Sequence, residues 1–291
     1  MSRLRVLRPA DGILAFYEGR EAGHRFAEEP NWVDLGALEL GIASYAIVDG
    51  GEALVYDTHV ARDRGKAIRE AVAAEGAERV TVVLSHWHLD HVAGTEAFDG
   101  CEVVANARTD EHLREKRAAI EAGTLEGPPA IDPLVLPTRT FSGAETLRVG
   151  GVEVELIQLN IHSDDASVLW LPERRLLLAG DTMEDTITFV DEPQSFDRHL
   201  ADLDRLWDLA PERILPSHGA PEVIASGGYP RELIRATQQY IRVLGHARDN
   251  RRLREQGLRE LIAGPLRAGW VNYFEPYEAV HRSNLETVLG S

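Results

Sequence analysis

The chain is poor in cysteine, in long apolar runs and in positive charge. Its 291 residues include one cysteine, Cys101, which excludes an internal disulfide framework. No apolar stretch reaches the roughly 18 residues that a membrane-spanning helix needs. Residues 1–9 carry charges where a signal peptide would have its apolar core. We therefore expect a cytoplasmic protein with no membrane partner.

The charge balance is strongly acidic. Lys and Arg number 31 against 48 Asp and Glu, which gives a formal net charge of -17. Because such a surface repels phosphate backbones, we expect a small-molecule substrate and no nucleic-acid partner. The oligomeric state stays open. The length and the 44% hydrophobic content are sufficient for a substantial core, in one large domain or two small ones.

Histidine is concentrated in one short segment, Ser85-His86-Trp87-His88-Leu89-Asp90-His91. The segment directly follows the apolar run at residues 80–84, which predicts a buried strand with the histidines on the loop at its end. Imidazole and carboxylate groups are the ligands that Zn²⁺ and similar divalent cations prefer. The segment therefore predicts a metal site.

Three further strand-like runs end in a side chain that can bind a metal. Residues 154–159 are followed by His162, residues 176–179 by Asp181, and residues 213–216 by His218. Loops at the carboxyl ends of strands are where scaffolds place binding groups. We therefore expect these side chains to join the histidine segment in one assembled site.

Over roughly residues 10–220, this ordered set resembles the metallo-β-lactamase superfamily. The superfamily's motif His-x-His-x-Asp-His and its later ligands are matched by His86, His88, Asp90, His91, His162, Asp181 and His218. The resemblance implies one metal on His86, His88 and His162, and a second on Asp90, His91 and His218. It further implies that Asp181 bridges the two metals and that Asp57 supports the site without ligating.

The resemblance implies a hydrolase with two zinc ions per chain, iron and manganese being the alternative metals. A metal-bound hydroxide would attack the activated acyl carbon of a lactone, thioester, ester or β-lactam, with Asp90 and Asp181 as catalytic carboxylates. The superfamily's lactamase branch often has a cysteine where Asp181 stands, which disfavours antibiotic resistance. A mononuclear non-haem iron oxidoreductase, similar to persulfide dioxygenases, and a metal-binding protein without turnover are the alternatives.

The pattern of elements fits the superfamily's fold, an α/β (α+β) four-layer αββα sandwich. Helices are predicted at residues 62–75, 110–122 and 196–209, and hairpins at residues 44–57 and 167–179. We expect a metal-binding domain at residues 1–222 and a helical C-terminal extension at 223–291, packed on the same domain, with helices at 230–256 and 277–289. The extension either only packs against the domain or roofs the cleft and shapes the substrate pocket.

Four more residues are predicted near the site. Asp165 closely follows His162 and either supports the ligands or forms a turn. Trp87 lies between two ligand histidines, His59 follows Asp57, and Trp32 lies in an N-terminal region that often overhangs the cleft in the superfamily. We assign these three to the substrate pocket, with packing in the core or in the site wall as the alternative.

Overall fold

Two β-sheets form the centre of the fold in the computed structural model, which describes residues 4–290. Residues 1–3 and 291 lie outside the described part, and with them the start of the segment that was examined for a signal peptide. The first sheet contains, in spatial order, β1 (Arg5–Ala10), β2 (Ile13–Glu18), β3 (Ile42–Asp49), β4 (Glu52–Tyr56), β5 (Arg79–Leu84), β6 (Glu102–Asn106) and β7 (Arg139–Phe141). Strands β1 to β4 pair antiparallel, and β4 to β7 pair parallel.

The second sheet is formed by the C-terminal half of the chain. Its strands are, in spatial order, β13 (Tyr229–Pro230), β12 (Arg213–Pro216), β11 (Leu176–Gly180), β10 (Ser167–Leu171), β9 (Val152–Gln158) and β8 (Ala144–Val149). Only β11 and β12 pair parallel. Every residue of β10 and β11 is buried, because the sheet is covered on both faces.

Helices cover the outer faces of both sheets. The helices of the described residues are α1 (Arg62–Ala74), α2 (Leu89–Val92), α3 (Ala107–Glu121), α4 (Phe196–Asp208), α5 (Pro221–Ala225), α6 (Leu233–His246), α7 (Arg251–Glu255), α8 (Leu258–Leu261), α9 (Ala263–Ala268) and α10 (Tyr277–Gly290). Of these, α5 places Ile224 in the layer between the sheets. Short helical turns occur at Val33–Leu38, Thr95–Phe98, Pro172–Arg174 and Pro193–Ser195.

The core consists of three apolar layers. The middle layer lies between the sheets and contains Tyr45 of β3 and Leu178 of β11. A second layer packs β5 against α1 and α3, and a third packs β10 and β11 against α4, α6 and α10. The layers therefore alternate helix, sheet, sheet, helix, which confirms the predicted αββα sandwich.

The predicted long C-terminal helix at residues 230–256 is wrong. Pro230 pairs with Arg213 in the second sheet, and helix α6 begins only at Leu233. A new helix, α7, then begins because Asn250 caps it by accepting hydrogen bonds from the backbone of Arg252 and Leu253. The other predicted helices agree with the structure to within about three residues at each end.

The segment beyond residue 222 belongs to the second half of the sandwich. Strand β13 pairs with β12, and α6 and α10 contribute Tyr240, Tyr277 and Val288 to the layer on the outer face of the second sheet. A boundary at residue 222 remains a prediction. Within residues 4–290, no helix is long and apolar enough to span a membrane.

Candidate metal centre

The predicted site residues lie on loops at one edge of the two sheets. Backbone hydrogen bonds connect these loops: Ser167 N donates to Ser85 O at 2.8 Å, Ser217 N donates to Gly180 O at 2.8 Å, and Ala43 N donates to Ser217 O at 2.8 Å. Because the loops are joined through the backbone, the side chains that they carry are held in fixed relative positions.

Two buried tyrosines of the first sheet fix the loop that carries His218. Tyr17 donates its hydroxyl hydrogen to Gly219 O at 2.9 Å, and Tyr45 donates to Pro216 O at 2.5 Å. Both tyrosines are fully buried. A strand of one sheet therefore positions a ligand that the sequence places after a strand of the other.

A first group of ligands is formed by His86, His88 and His162. His88 Nδ1 lies 3.0 Å from His86 Nε2 and 2.9 Å from His162 Nε2. Ligands at about 2.0–2.1 Å from a tetrahedral zinc ion are separated by about 3.3 Å. The three nitrogens are thus spaced almost as a tetrahedral metal requires.

A second group is formed by Asp90, His91 and His218. His218 Nε2 lies 3.4 Å from Asp90 Oδ2, and His91 Nε2 lies 3.5 Å from Asp90 Oδ1. The three ligand atoms all lie within 4.8 Å of one another. They form a second set with nearly the same spacing.

One atom, Asp181 Oδ2, belongs to both groups. It lies 3.2 Å from His91 Nε2 and 3.3 Å from His218 Nε2. It also lies 3.8 Å from His86 Nε2 and 3.9 Å from His162 Nε2. The other oxygen, Asp181 Oδ1, is buried and accepts no hydrogen bond from any residue between 4 and 290. A buried carboxylate oxygen without a donor is costly, so this side chain fits a cation-binding role.

Each ligand imidazole except His88 has a partner for its second ring nitrogen. His91 Nδ1 lies 2.8 Å from Asp57 Oδ2, and His86 Nδ1 lies 2.9 Å from Ser85 Oγ. His162 Nδ1 lies 3.1 Å from Phe189 O, and His218 Nδ1 lies 2.9 Å from Gly41 O. A carbonyl or carboxylate at Nδ1 keeps the proton there and leaves Nε2 free to bind a metal.

Backbone strain is concentrated at this edge of the sheets. Asp57, His59 and His162 have φ values of 64°, 71° and 71°. Positive φ is uncommon outside glycine, although Asp and His tolerate it better than most residues, and it clusters at functional sites. At Asp57 the turned backbone brings Oδ1 to the backbone N–H of Ser85 at 2.7 Å.

The electrostatics favour neutral imidazoles in the first group. Burial lowers the pKa of His88 to about 3 and holds the pKa of His86 well below its usual value, and neighbouring histidines add to both shifts. In the second group burial is outweighed by carboxylates: Asp181, Asp90 and Asp57 raise the pKa of His91 well above its usual value. The carboxylates around His91 therefore place negative charge at the second group, and two bound cations would offset this charge.

A cleft of about 490 Å³ opens over the two ligand groups. Residues 35–40 form one side, and Pro276 with the first two turns of α10 forms another. Helix α10 therefore both packs in the core and lines the cleft, so both roles considered for the C-terminal extension occur. A volume of this size is typical of small-molecule sites.

Of the three predicted pocket residues, only Trp87 lines the cleft. Its ring packs edge-on against His88 with the centroids 4.5 Å apart. Contrary to prediction, Trp32 packs in the core and donates its indole N–H to Pro129 O at 3.0 Å. His59 also does not line the cleft, because its side chain is fully buried below the surface.

Asp165 connects the histidine segment to the loop of His162. It accepts a hydrogen bond from Trp87 N at 2.9 Å and another from Ser163 Oγ at 2.7 Å. Asp165 therefore both supports the histidine segment and stabilises the turn after His162, so both predicted roles occur. It belongs to neither ligand group.

Sequence reasoning missed three kinds of site residue. Gly41 and Phe189 act through backbone carbonyls, which leave no side-chain signal. The cleft walls at residues 35–40 and 276–283 carry ordinary apolar residues. Glu184 is a buried carboxyl in the cleft wall that accepts a hydrogen bond from Phe189 N at 3.0 Å. Its place three positions after Asp181, directly before a second acid, Asp185, is the sequence signal for it.

Comparison with known proteins agrees with this geometry. The family model of the metallo-beta-lactamase superfamily matches residues 38–218, which include all seven predicted ligands. The chain therefore belongs to the metallo-beta-lactamase superfamily, as the sequence motifs predicted. The crystal structure of the DIM-1 metallo-beta-lactamase is similar in fold, with a TM-score of 0.55 and 19% identity over 80% of this chain and 97% of that one.

The curated relatives match this chain over only part of their own length. The beta-lactamase-like protein 2 homolog of Caenorhabditis elegans is 27% identical over 183 residues, 62% of this chain and 56% of the relative. The atrochrysone carboxyl ACP thioesterase of Aspergillus fumigatus is 27% identical over 188 residues, 64% of this chain and 53% of the relative. The chain thus spans about half the length of these relatives.

Proposed function

We propose that this protein is a dinuclear metal-dependent hydrolase that binds two zinc ions and cleaves an acyl substrate. The observation that carries the proposal is the position of Asp181 Oδ2, 3.2–3.9 Å from imidazole nitrogens of both ligand groups. One carboxylate oxygen shared by two complete ligand sets supports a pair of metals rather than a single ion.

The donor set is suited to a hydrolytic centre. Two bound zinc ions would supply Lewis acidity and a water molecule that ionises near neutral pH. With two dications bound, five neutral imidazoles and two carboxylates would leave net positive charge at the centre, which would stabilise an oxygen that becomes negative during acyl transfer. Asp90 and Asp181 hold the second group together, and Asp57 keeps the proton of His91 on the side away from the ligands.

Similarity to a thioesterase supports an acyl substrate. The oxidative alternative, a single iron on a His86, His162 and Asp181 type of set, leaves Asp90, His91 and His218 without a role. A binding protein without turnover would need neither the second ligand group nor the cleft that opens over both groups. We therefore favour hydrolysis over both alternatives.

A substrate panel with a chelator control tests the proposal. The protein is incubated with representative lactones, thioesters, carboxylic esters and β-lactams, before and after metal removal and after zinc is restored. We expect hydrolysis of at least one acyl class that the chelator abolishes and zinc restores. Hydrolysis that resists chelation would contradict the proposal, as would oxygen uptake with a persulfide substrate and no hydrolysis of any acyl class.

A further inference from the structure

The cleft has an apolar side formed by two segments that are far apart in sequence. Leu35 and Leu40 lie on one segment, and Ala279 and Val280 on helix α10. Phe189 extends this apolar surface toward the metal ligands, where its ring packs 5.8 Å from that of His162. We call these five residues the apolar groove.

Leu35 is exposed although its segment is firmly anchored. It is 70% exposed, whereas the other exposed large apolar residues in the described part of the chain, Val6 and Leu289, are 47% and 48% exposed. The segment is held by Asp34, which accepts hydrogen bonds from Phe26 N at 2.6 Å and Asn31 Nδ2 at 2.7 Å. Leu35 is therefore presented to solvent at the cleft mouth by a fixed backbone.

Trp32, which does not line the cleft, explains why this segment cannot turn Leu35 inward. Its buried ring and the side chains of Val33, Ala37 and Leu38 occupy the core side of the helical turn. With one face of the turn committed to the core, Leu35 lies on the opposite face. A ligand that covers this exposed apolar side chain removes apolar surface from water, which favours binding.

Helix α10 offers small side chains to the groove. Ser283 lies four positions after Ala279 and three after Val280, so it shares a face of the helix with each of them, and all three line the cleft. Larger residues at these positions would fill the space in front of Leu35. The small side chains leave room for a chain or ring several carbon atoms long.

The charges around the cleft oppose an anionic ligand arm. None of the described residues that line the cleft is Lys or Arg. Outside the ligand groups, the lining includes the carboxyls of Glu39, Glu126, Glu184 and Asp191. A carboxylate or phosphate on the acyl arm would find no cationic side chain there and would approach these acids instead.

We propose that the apolar groove binds the acyl arm of the substrate and that this arm is an uncharged apolar chain or ring. The inference rests on the hydrolase function proposed above and narrows it from acyl substrates in general to apolar ones. Leu35 and Val280 are specificity-determining residues that contact the arm at a distance from the reacting carbonyl.

The first test uses p-nitrophenyl esters with straight acyl chains of increasing length. Each methylene that becomes buried should raise kcat/KM by about two- to fourfold until the groove is filled. Leu35→Ser should reduce this gain, so that kcat/KM falls more for the longer esters than for the acetyl ester. Ala279→Trp, which fills the groove, should remove the gain altogether. Leu289→Ser, a change at another exposed leucine that lies on α10 outside the cleft lining, is the matched control and should behave like wild type.

A binding measurement separates the groove from catalysis. Calorimetric titration with N-methyloctanamide, an unreactive amide, should show binding that Leu35→Ser weakens and Leu289→Ser does not, while N-methylacetamide binds far more weakly. If the amide binds in this way but no ester is hydrolysed, the proposal that the apolar groove binds an apolar arm is supported, and the proposed hydrolase function is contradicted.

Three results would overturn the groove itself. The first is ester hydrolysis with no dependence on chain length, which would leave the hydrolase function intact. The second is faster hydrolysis of an ester whose chain ends in a carboxylate than of the uncharged ester of equal length. An equal effect of Leu35→Ser and Leu289→Ser in both assays would likewise contradict it.

Discussion

At the scale of single residues, Asp181 is the side chain on which the two ligand groups depend. Its Oδ2 atom is the shared one, and its Oδ1 atom is buried without a donor among the described residues. Asp181→Asn removes the negative charge and places an amide where a ligand is needed. We predict a loss of at least about 100-fold in affinity for one metal, at or beyond the upper end of losses for residues that only orient ligands.

The Asp181→Asn prediction is checked by metal stoichiometry and by turnover measured side by side. Asp99→Asn, at an exposed turn outside the cleft, is the matched control and should retain both. Full metal occupancy with wild-type turnover in Asp181→Asn would show that this carboxylate does not bridge the ligand groups.

Asp57 acts through His91 and not on the metal directly. Asn at this position tolerates the positive φ of 64° and keeps an oxygen for Ser85 N. Its amide would however face His91 Nδ1, so His91 would hold its proton on Nε2, where a ligand needs a lone pair. We predict that Asp57→Asn weakens binding of one metal by about 10–100-fold.

Competition with a chromophoric chelator measures this loss without reference to activity. If Asp57→Asn binds both metals as tightly as wild type in this assay, the positioning role of Asp57 is contradicted. The folded state of Asp57→Asn is verified by circular dichroism, so that unfolding is not mistaken for loss of a ligand.

At the scale of elements, the turn after α2 must lie very close to the loop after β4. Thr58 N donates to His91 O at 2.8 Å, and a Cβ placed on Gly94 would lie 1.9 Å from Thr58 O. Gly94→Ala must therefore push apart the two loops that hold His91 and Asp57. We predict a decrease of about 1–3 kcal/mol in the free energy of unfolding, as is typical for overpacking, together with weaker metal binding.

Urea denaturation provides the measurement, with Gly264→Ala as the matched control. Gly264 lies in α9 with no atom within 4 Å of its added Cβ, so alanine there should leave stability unchanged or raise it by up to about 1 kcal/mol. Equal stabilities of the two variants would disprove the close approach at Gly94.

The elements that the sequence predicted best are those with a strong periodic signal and a ligand at their end. Strand β5 has the expected position because a short apolar run directly precedes the histidine segment, and helix α4 because its apolar residues recur at helix spacing. Strand β2 is also fully buried and does not alternate, but no metal-competent side chain follows it to mark its end. The break between α6 and α7 depends on the cap at Asn250, a residue that is equally common in ordinary loops.

The candidate site also has one part that the sequence predicts, the ligand side chains, and one that it does not, the cleft walls. The predicted ligand side chains have distinctive chemistry and regular positions at strand ends, so sequence alone predicted which side chains the fold brings together. The cleft walls could not be predicted, because residues 35–40 and 276–283 are separated by more than 200 positions and meet only through the packing of two layers. Trp32 was misplaced for the same reason: an aromatic in a loop carries no signal of the face that it turns to the core.

At the scale of the whole molecule, buried histidines outside the metal centre make stability depend on pH. His199 of α4 is fully buried, and burial, with a smaller contribution from His162, lowers its pKa to about 4. The unfolded chain, with a histidine pKa of about 6.5, binds a proton that the folded chain refuses. Stability from this residue is therefore present above pH 6.5 and is lost as the pH falls toward 4.

Replacing His199 by leucine should remove this dependence. Between pH 7 and pH 5, wild type should lose about 1–2 kcal/mol more in free energy of unfolding than His199→Leu, as follows from the two pKa values. Urea denaturation of both proteins at each pH gives the difference, in which effects of the metal ligands cancel. A parallel pH dependence of the two proteins would show that His199 does not titrate differently on folding.

The metal content of the purified protein tests the two-metal centre most directly. The spacing of both ligand groups around Asp181 Oδ2 predicts that inductively coupled plasma analysis of protein prepared without chelator gives close to two zinc ions per chain. A reproducible content of one iron per chain, with the second group still empty when zinc is supplied in excess, would contradict the account.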